Sequence, residues 1–554
     1  MDASTPLRVW APLVSRLEVV TDKGATALVR AEDGWHEGPR LAPGARYRLR
    51  TLDGPGGLLE IGDPAAHSQP EGVFGASEAV DHSAFEWTDT SWTAEPNRRL
   101  DRAVVYELHV GTFSPEGTFD GAAFRLEHLV DLGVTHVELL PVNTFTGTRG
   151  WGYDGVFWFA PHHSYGGVAG LKRLVDRAHA LGLAVLLDVV YNHLGPEGDV
   201  TWCLGPIRHD AGHTPWGEAI NLDGEHSDGV RRTIVENALH WLERYHLDGL
   251  RLDAVFALID GSPTHVLSEL SAAVEDLGSR TGRPRWLVAE SNRQDLSHLT
   301  PRGEGGQGLH SQWADDLHHV LHTIVTGETQ GYYDAFGDPA QLPTALSNPF
   351  VRTGFDVHDL GGESFVVCAQ NHDQIGNRAR GDRIGHLVGP ERAMAVAAVV
   401  AFSGYVPLLF QGEEWAASTP WPFFADPQDP ELAEAIRKGR TREFAAFGWA
   451  PADVPDPVDP ATFSAATLVW SELDDAPHRG VLDFYRALIQ LRATHPALGA
   501  SGRSLIRAVV DLRLVATIRR GDLTLVAALG PETPARPDGV VLASPGGHVV
   551  ITSP

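Results

Sequence analysis

Cysteine is scarce in this chain: its 554 residues include 2, Cys203 and Cys368, far apart and in no metal-ligand spacing. That excludes a disulfide framework and a cysteine-bound zinc site, and it suits a reducing compartment. Basic residues are also few, 44 against 72 acidic ones, with lysine only at Lys23, Lys172 and Lys438, and the formal charge is -28. Such a surface repels phosphate backbones and acidic lipid, so no nucleic acid and no membrane is expected as a partner; a neutral substrate suits it better. No apolar run approaches the length of a bilayer span. The first residues, MDASTPLRVWAPLV, lack the basic and apolar regions of an export signal, so a cytoplasmic location is expected.

What is present describes a large globular protein. The length exceeds what one core serves, and the hydrophobic fraction of 43%, with 15 Trp and 21 Phe, is far from a disordered composition. From Leu7 to about Trp87, short alternating stretches such as LRVWAP and YRLRTL lie between Gly, Pro and Asp turns, the pattern of a small β-sandwich. After SWTAEPNRRLDR the texture changes to apolar runs of strand length, each followed by a segment of helical periodicity. Seven such runs begin at Ala103, Val134, Leu183, Leu247, Trp286, Phe365 and Val406, and a weak eighth lies near Gln312. Helices are predicted over Asp120 to Leu132, Leu171 to Leu181, Asp228 to Tyr245, Thr264 to Leu277 and Val481 to His495. The fold class is α/β: a (β/α)8 TIM barrel over 96–498, preceded over 1–95 by a β-sandwich like a carbohydrate-binding module and followed over 499–554 by a small β-domain. The Pro/Asp-rich stretch 451–460 is expected as an insertion in a surface loop.

In a parallel barrel the reactive side chains sit at the C-terminal strand ends, where the following loops converge. The third strand ends DVVYNH (Asp188 to His193), the fourth GLRLDAV (Gly249 to Val255), the fifth VAES (Val288 to Ser291) and the seventh QNHD (Gln370 to Asp373). One acidic strand end is ordinarily a solvated or ion-paired terminus; four together indicate a site. Cleaving a glycosidic bond requires a carboxylate facing the anomeric carbon and a carboxylic acid to protonate the departing oxygen, and Asp253 and Glu290 can supply them.

These four segments, in this order, resemble the motifs of the α-amylase superfamily of glycoside hydrolases. The resemblance implies that Asp253 is the nucleophile, Glu290 the acid and then base, and Asp373 the stabiliser of the distorted sugar, with retention at the anomeric carbon. Repulsion and partial burial are expected to keep Glu290 protonated while Arg251 keeps Asp253 ionised, and Asp188 is expected to orient Arg251. The resemblance also implies hydrogen bonds from His193 and His372 to glucose hydroxyls and stacking of Tyr153, in WGYD, on the same ring, and it puts Trp151, Asp154, Arg251 and Phe256 among the substrate-binding residues. Asn192 matches a position that ligates calcium in many amylases, but no partner ligands are identifiable, so neither a metal nor a cofactor is assigned. Of Trp151, Trp216, Trp415, Trp421, Phe423 and Phe424, only a few are expected to touch sugar, since aromatic rings are more often core.

Specificity is carried by the segments between the motifs. DPAAHSQPEGVFG, YELHVGTFSPEGTFDGA, APHHSYGG, HTPWGEAINLDG, QWADDLHH, QNHDQIGNRARGDR, LLFQGEEW and RKGRTREF are similar to the malto-oligosyltrehalose trehalohydrolase family. That similarity implies hydrolysis of the α-1,4 bond next to the terminal trehalose of malto-oligosyltrehalose, with malto-oligosyltrehalose synthase as the functional partner. Three places depart from the pattern: Phe256 stands where a His is usual, SNRQDLSHL follows Glu290 in place of a more acidic stretch, and VRTGFDVHDLGGES lacks an Arg-rich pattern. The rival readings are a glycogen branching enzyme, an α-1,6 debranching enzyme and, without catalysis, an inactive glucan-binding protein.

Overall fold

The computed structural model describes residues 2–353, 357, 359–445, 449–450, 453–500, 506–534 and 538–553. Eight parallel strands close into a barrel in chain order: Val105–Leu108, His136–Leu139, Ala184–Val189, Gly249–Leu252, Trp286–Ala289, Ser311–Trp313, Phe365–Cys368 and Val406–Phe410. Every residue in them is buried, as expected of a parallel sheet covered on its outer face by helices and filled within by its own side chains. The weak eighth run is the sixth strand in order, a three-residue SQW whose Ser311 hydroxyl donates to Glu363 O at 2.7 Å and accepts from Trp286 Nε1 at 2.8 Å. Side-chain hydrogen bonds there replace the apolar packing that makes the other strands visible.

The outer helices follow from apolar stripes and end signals. Phe119–Leu132 is capped by the Thr118 hydroxyl, buries Phe119, Ala122, Leu126 and Leu129 on one face, and stops at Gly133 in the left-handed region. Gly249 opens the fourth strand where no side chain fits: a Cβ there would stand 2.2 Å from Trp286 O. That close approach sets the register of Arg251 beside Asp188 and Val288.

Two antiparallel sheets precede the barrel. Arg8–Trp10, Trp35–Glu37 and Val29–Arg30 form one, and Gly24–Ala27, Leu17–Thr21, Arg46–Thr51 and Leu59–Ile61 the other, with Ser77–Glu78 beside Arg46–Thr51. Alternation buries Tyr47, Leu49 and Thr51 of RYRLRT. A five-stranded antiparallel sheet spanning Arg507–Thr552 packs on the helix Pro390–Phe402, whose last ten residues are all buried. Arg492 satisfies a carbonyl at that helix's end, donating to Ala401 O at 2.9 Å, and also donates to Tyr405 O beyond it at 2.6 Å. Among the described residues no helix is long and apolar enough to cross a membrane.

Candidate active site

One cation joins three strand ends. Arg251 is fully buried and lies 4.4 Å over the Trp313 ring. Its Nη1 donates to Asp188 Oδ1 and Oδ2 at 2.9 and 2.7 Å and to Asp253 Oδ1 at 2.7 Å, while Nη2 stands 3.5 Å from Glu290 Oε2. Because Asp188 and Arg251 are register partners on neighbouring strands, their inward side chains meet without adjustment of the backbone.

Directly after Asp253 the chain turns through Ala254 in the left-handed region, φ 39° and ψ 50°. A residue with a Cβ loses about 1–2 kcal/mol in that conformation. The turn aims the Ala254 N–H at Glu290 Oε2, 2.5 Å away, and the next N–H, of Val255, at Glu290 O, 3.0 Å away. From the opposite side Asn192 Nδ2 donates to Asp253 Oδ2 at 2.7 Å and to Asp253 O at 3.0 Å. Burial pushes Glu290 up to about 8; Arg251 opposes the rise, and the charges of Asp253 and Asp373 add to it.

A second chain of contacts crosses the pocket from the first strand. Glu107, buried in Val105–Leu108, accepts from the His372 backbone N–H at 3.0 Å and from His372 Nδ1 at 2.5 Å. His372 Nε2 donates to the Tyr153 hydroxyl at 2.8 Å, and that hydroxyl donates to Asp188 Oδ2 at 2.6 Å. Burial alone would lower His372, but the carboxylates of Asp373 and Glu107 override it and raise the ring to about 10. His372 is therefore an imidazolium at neutral pH, with Asp373 Oδ1 3.4 Å from its Nε2. Asp373 itself is the most open of the three acids, its side chain 39% exposed.

The remaining expected contacts divide by exposure. His193 pairs through Nδ1 with Asn192 Oδ1, and its ring is stacked at 5.6 Å and 15° by Trp216, which is 48% exposed. Phe256 lies 6.1 Å from Trp216, so the loops after the third and fourth strands present an aromatic rim. Trp151 is only 7% exposed, stacked 4.5 Å from Trp421 and edge-on to His372. Asp154 is raised to about 6 by burial and by the charges of Glu197 and Asp426. Trp415, Trp421 and Phe424 are core, while Phe423 packs under Arg440. In the departing stretch after Glu290, Gln294 Nε2 donates to Asp316 Oδ2 at 2.8 Å, and the same oxygen accepts from Val351 N at 2.7 Å. Asp316 thus ties the two departing segments together; residues 354–356 and 358 of the second lie outside the described residues.

Sequence reasoning missed Glu107, whose partner His372 is 265 residues away and gives no local pattern. It also missed Glu138, a buried acid of the second strand raised well above the usual range by burial and by Glu107, and Asp315, raised to about 7 by burial and the charge of Asp373. Asn192, passed over once a metal was not assigned, sits against Asp253. The hairpin Arg208–Thr214 and Gly217–Ile220 that carries Trp216 also went unseen, because it lacks apolar alternation.

Residues 75–202 match the model of the α-amylase catalytic domain. The chain is 45% identical to a malto-oligosyltrehalose trehalohydrolase of Arthrobacter ramosus over 97% of its own length and 95% of the relative's. It is 43% identical to the enzyme of that name from Rhizobium sp. strain M-11, over 90% of this chain and 88% of that one. Among solved structures, a protein of Salmonella typhimurium described as a candidate α-amylase superimposes with a TM-score of 0.88 at 37% identity, covering 99% of this chain and 97% of that chain. A barrel with four acidic strand ends, and this extent of identity, lead to one family: the chain belongs to the malto-oligosyltrehalose trehalohydrolases, glycosidases of the α-amylase superfamily.

Proposed function

We propose that this glycosidase hydrolyses the α-1,4 bond between a malto-oligosaccharide and a terminal trehalose, with retention of configuration, releasing trehalose. The observation that carries the chemistry is the unequal setting of two neighbouring carboxyls. Asp253 accepts from a guanidinium and an amide, one on each oxygen, whereas Glu290, buried beside two other acids, is raised to about 8 and holds its proton at neutral pH. In the first step an Asp253 oxygen attacks the anomeric carbon as the bond to the bridging oxygen breaks, and Glu290 gives its proton to that oxygen. In the second, the Glu290 carboxylate takes a proton from water, the water oxygen attacks the same carbon, and the ester to Asp253 is released. Asp373, open to the pocket and beside the His372 imidazolium, is placed by this reading against the hydroxyls of the distorted sugar.

The relatives' names support trehalose as the product, and the aromatic rim of Trp216 and Phe256 offers an apolar face for the leaving disaccharide. The same reading gives the flanking β-domains the spans 1–95 and 499–554 around a catalytic 96–498. It takes malto-oligosyltrehalose synthase as functional partner in trehalose biosynthesis, and the cytoplasm, which suits two buried, free cysteines, as the location. Incubation with malto-oligosyltrehalose and assay of free trehalose tests the function: trehalose released by the protein and not by its Asp253→Asn variant supports it. New α-1,6 branches on amylose, or cleavage of pullulan, with no trehalose released would replace it with a branching or debranching activity.

A further inference from the structure

Three imidazoles meet on the flank of the barrel, away from the catalytic acids. His67 lies on the loop after Leu59–Ile61, His82 opens the short turn His82–Ala84, and His240 projects from the helix Ser227–Arg244. One ring nitrogen of each lies within 4.8 Å of one from each of the others, the only such group of metal-ligating side chains among the described residues. His82 and His240 are more than nine-tenths buried, and His67 is half-buried.

Their hydrogen bonding is incomplete in a way that suits a ligand. His67 Nδ1 and His82 Nε2 are 3.0 Å apart, so a single proton is shared between two lone pairs. His82 Nδ1 is buried with no partner among the described residues, and so is the hydroxyl of Tyr245, whose ring lies 5.7 Å from His82 and 5.4 Å from His240. His240 Nε2 donates to Phe159 O at 3.0 Å, which fixes the tautomer and leaves Nδ1 with the free lone pair, the arrangement of an imidazole held by a backbone carbonyl behind a metal. Buried His179, by contrast, is held by two acids, Asp89 and Asp248. No acid forms an ion pair with any of these three among the described residues.

We propose that His67, His82 and His240 bind one borderline divalent metal ion, of the class of Zn2+, which fastens the segment carrying His67 and His82 to the barrel helix carrying His240. At metal–nitrogen distances of about 2.0–2.1 Å, tetrahedral ligand atoms stand roughly 3.4 Å apart. The His67–His82 pair at 3.0 Å needs to open by a few tenths of an ångström, and His240 needs to swing inward. The pocket supplies neutral nitrogen and no paired acid among the described residues, and Lys172 donates to His82 O at 2.9 Å. Hard ions such as Mg2+ and Ca2+ are therefore excluded, and ions that accept imidazole remain.

The test is a titration of the chelator-treated full-length protein with Zn2+ at pH 7.5, followed by calorimetry and by metal analysis after desalting. One equivalent per chain and a higher unfolding temperature are expected. His67→Asn, at a half-buried loop position, is expected to bind at least about tenfold more weakly, with glucan hydrolysis unchanged. His240→Asn gives the same result if it folds, and cobalt substitution of the unmutated protein supplies a tetrahedral ligand-field spectrum that does not depend on any variant. Absence of bound Zn2+ in the unmutated protein overturns the proposal. So does an affinity that is unchanged in His67→Asn or lost in Glu290→Gln, which would put the ion elsewhere.

Discussion

Asn192 stands 2.7 Å from the Asp253 carboxylate and 3.0 Å from the Asp253 carbonyl, so one amide fixes both the side chain and the backbone of the residue that ends the fourth strand. Asn192→Ala should lower kcat/KM by roughly 10²–10³, the loss that follows removal of one preorganised donor. The unfolding temperature should stay near that of the unmutated protein, and steady-state hydrolysis beside thermal unfolding checks both halves. Equal losses in activity and stability would reduce Asn192 to a packing role.

The pH dependence turns on Glu290, raised to about 8 from its ordinary 4.5. Because it acts protonated, the alkaline limb of kcat/KM should fall near that value. A carboxyl raised on folding contributes stability that is fully present below its unfolded value and is lost as pH rises through the folded value. Glu290→Gln should therefore unfold at a temperature that gains on the unmutated protein between pH 5 and pH 8, while hydrolysis collapses. Thermal melts across that range read the sign directly.

Removing the buried cation should be costly to the fold as well as the chemistry. Arg251→Met would leave Asp188, Asp253 and Glu290 facing one another without it. A buried charge deprived of its partner typically costs about 3–5 kcal/mol, so the urea midpoint should drop sharply and activity should vanish. A folded, active variant of unchanged midpoint would contradict the bridging role.

Tyr153→Phe interrupts the line from Glu107 through His372 to Asp188. Loss of one buried hydroxyl between charged groups, at about 1–3 kcal/mol, corresponds to a fall in kcat of roughly ten- to a hundredfold. Single-turnover hydrolysis measures it free of product release.

At the rim, Phe256→Ala should raise KM for malto-oligosyltrehalose more than it lowers kcat, because the ring lies beyond the hydrogen-bonded acids and beside Trp216. Comparing the variant on malto-oligosyltrehalose and on the plain malto-oligosaccharide of equal length shows whether the selectivity between them narrows. An unchanged ratio would remove Phe256 from the leaving-group side.

Much of this was legible because parallel strands buried on both faces read as apolar runs ending in acids, which exposes Asp253, Glu290 and Asp373 at once. What escaped was set by contacts between distant parts of the chain. Ser311–Trp313 is held by hydroxyl bonds and so looks weak; Glu107 gains meaning only from His372; and His67, His82 and His240 converge from a loop, a turn and a helix without any shared spacing. The settings of Trp151 and Tyr153 were not legible from the motif they share: Trp151 is 7% exposed and stacked on Trp421, while Tyr153 bridges Asp188 and His372.

The central claim is tested most directly by following malto-oligosyltrehalose of defined length with the protein by proton NMR from the first turnover. Release of trehalose together with a malto-oligosaccharide whose new reducing end appears first as the α-anomer is the predicted result. Appearance of the β-anomer first, or consumption of substrate with no free trehalose, would contradict it.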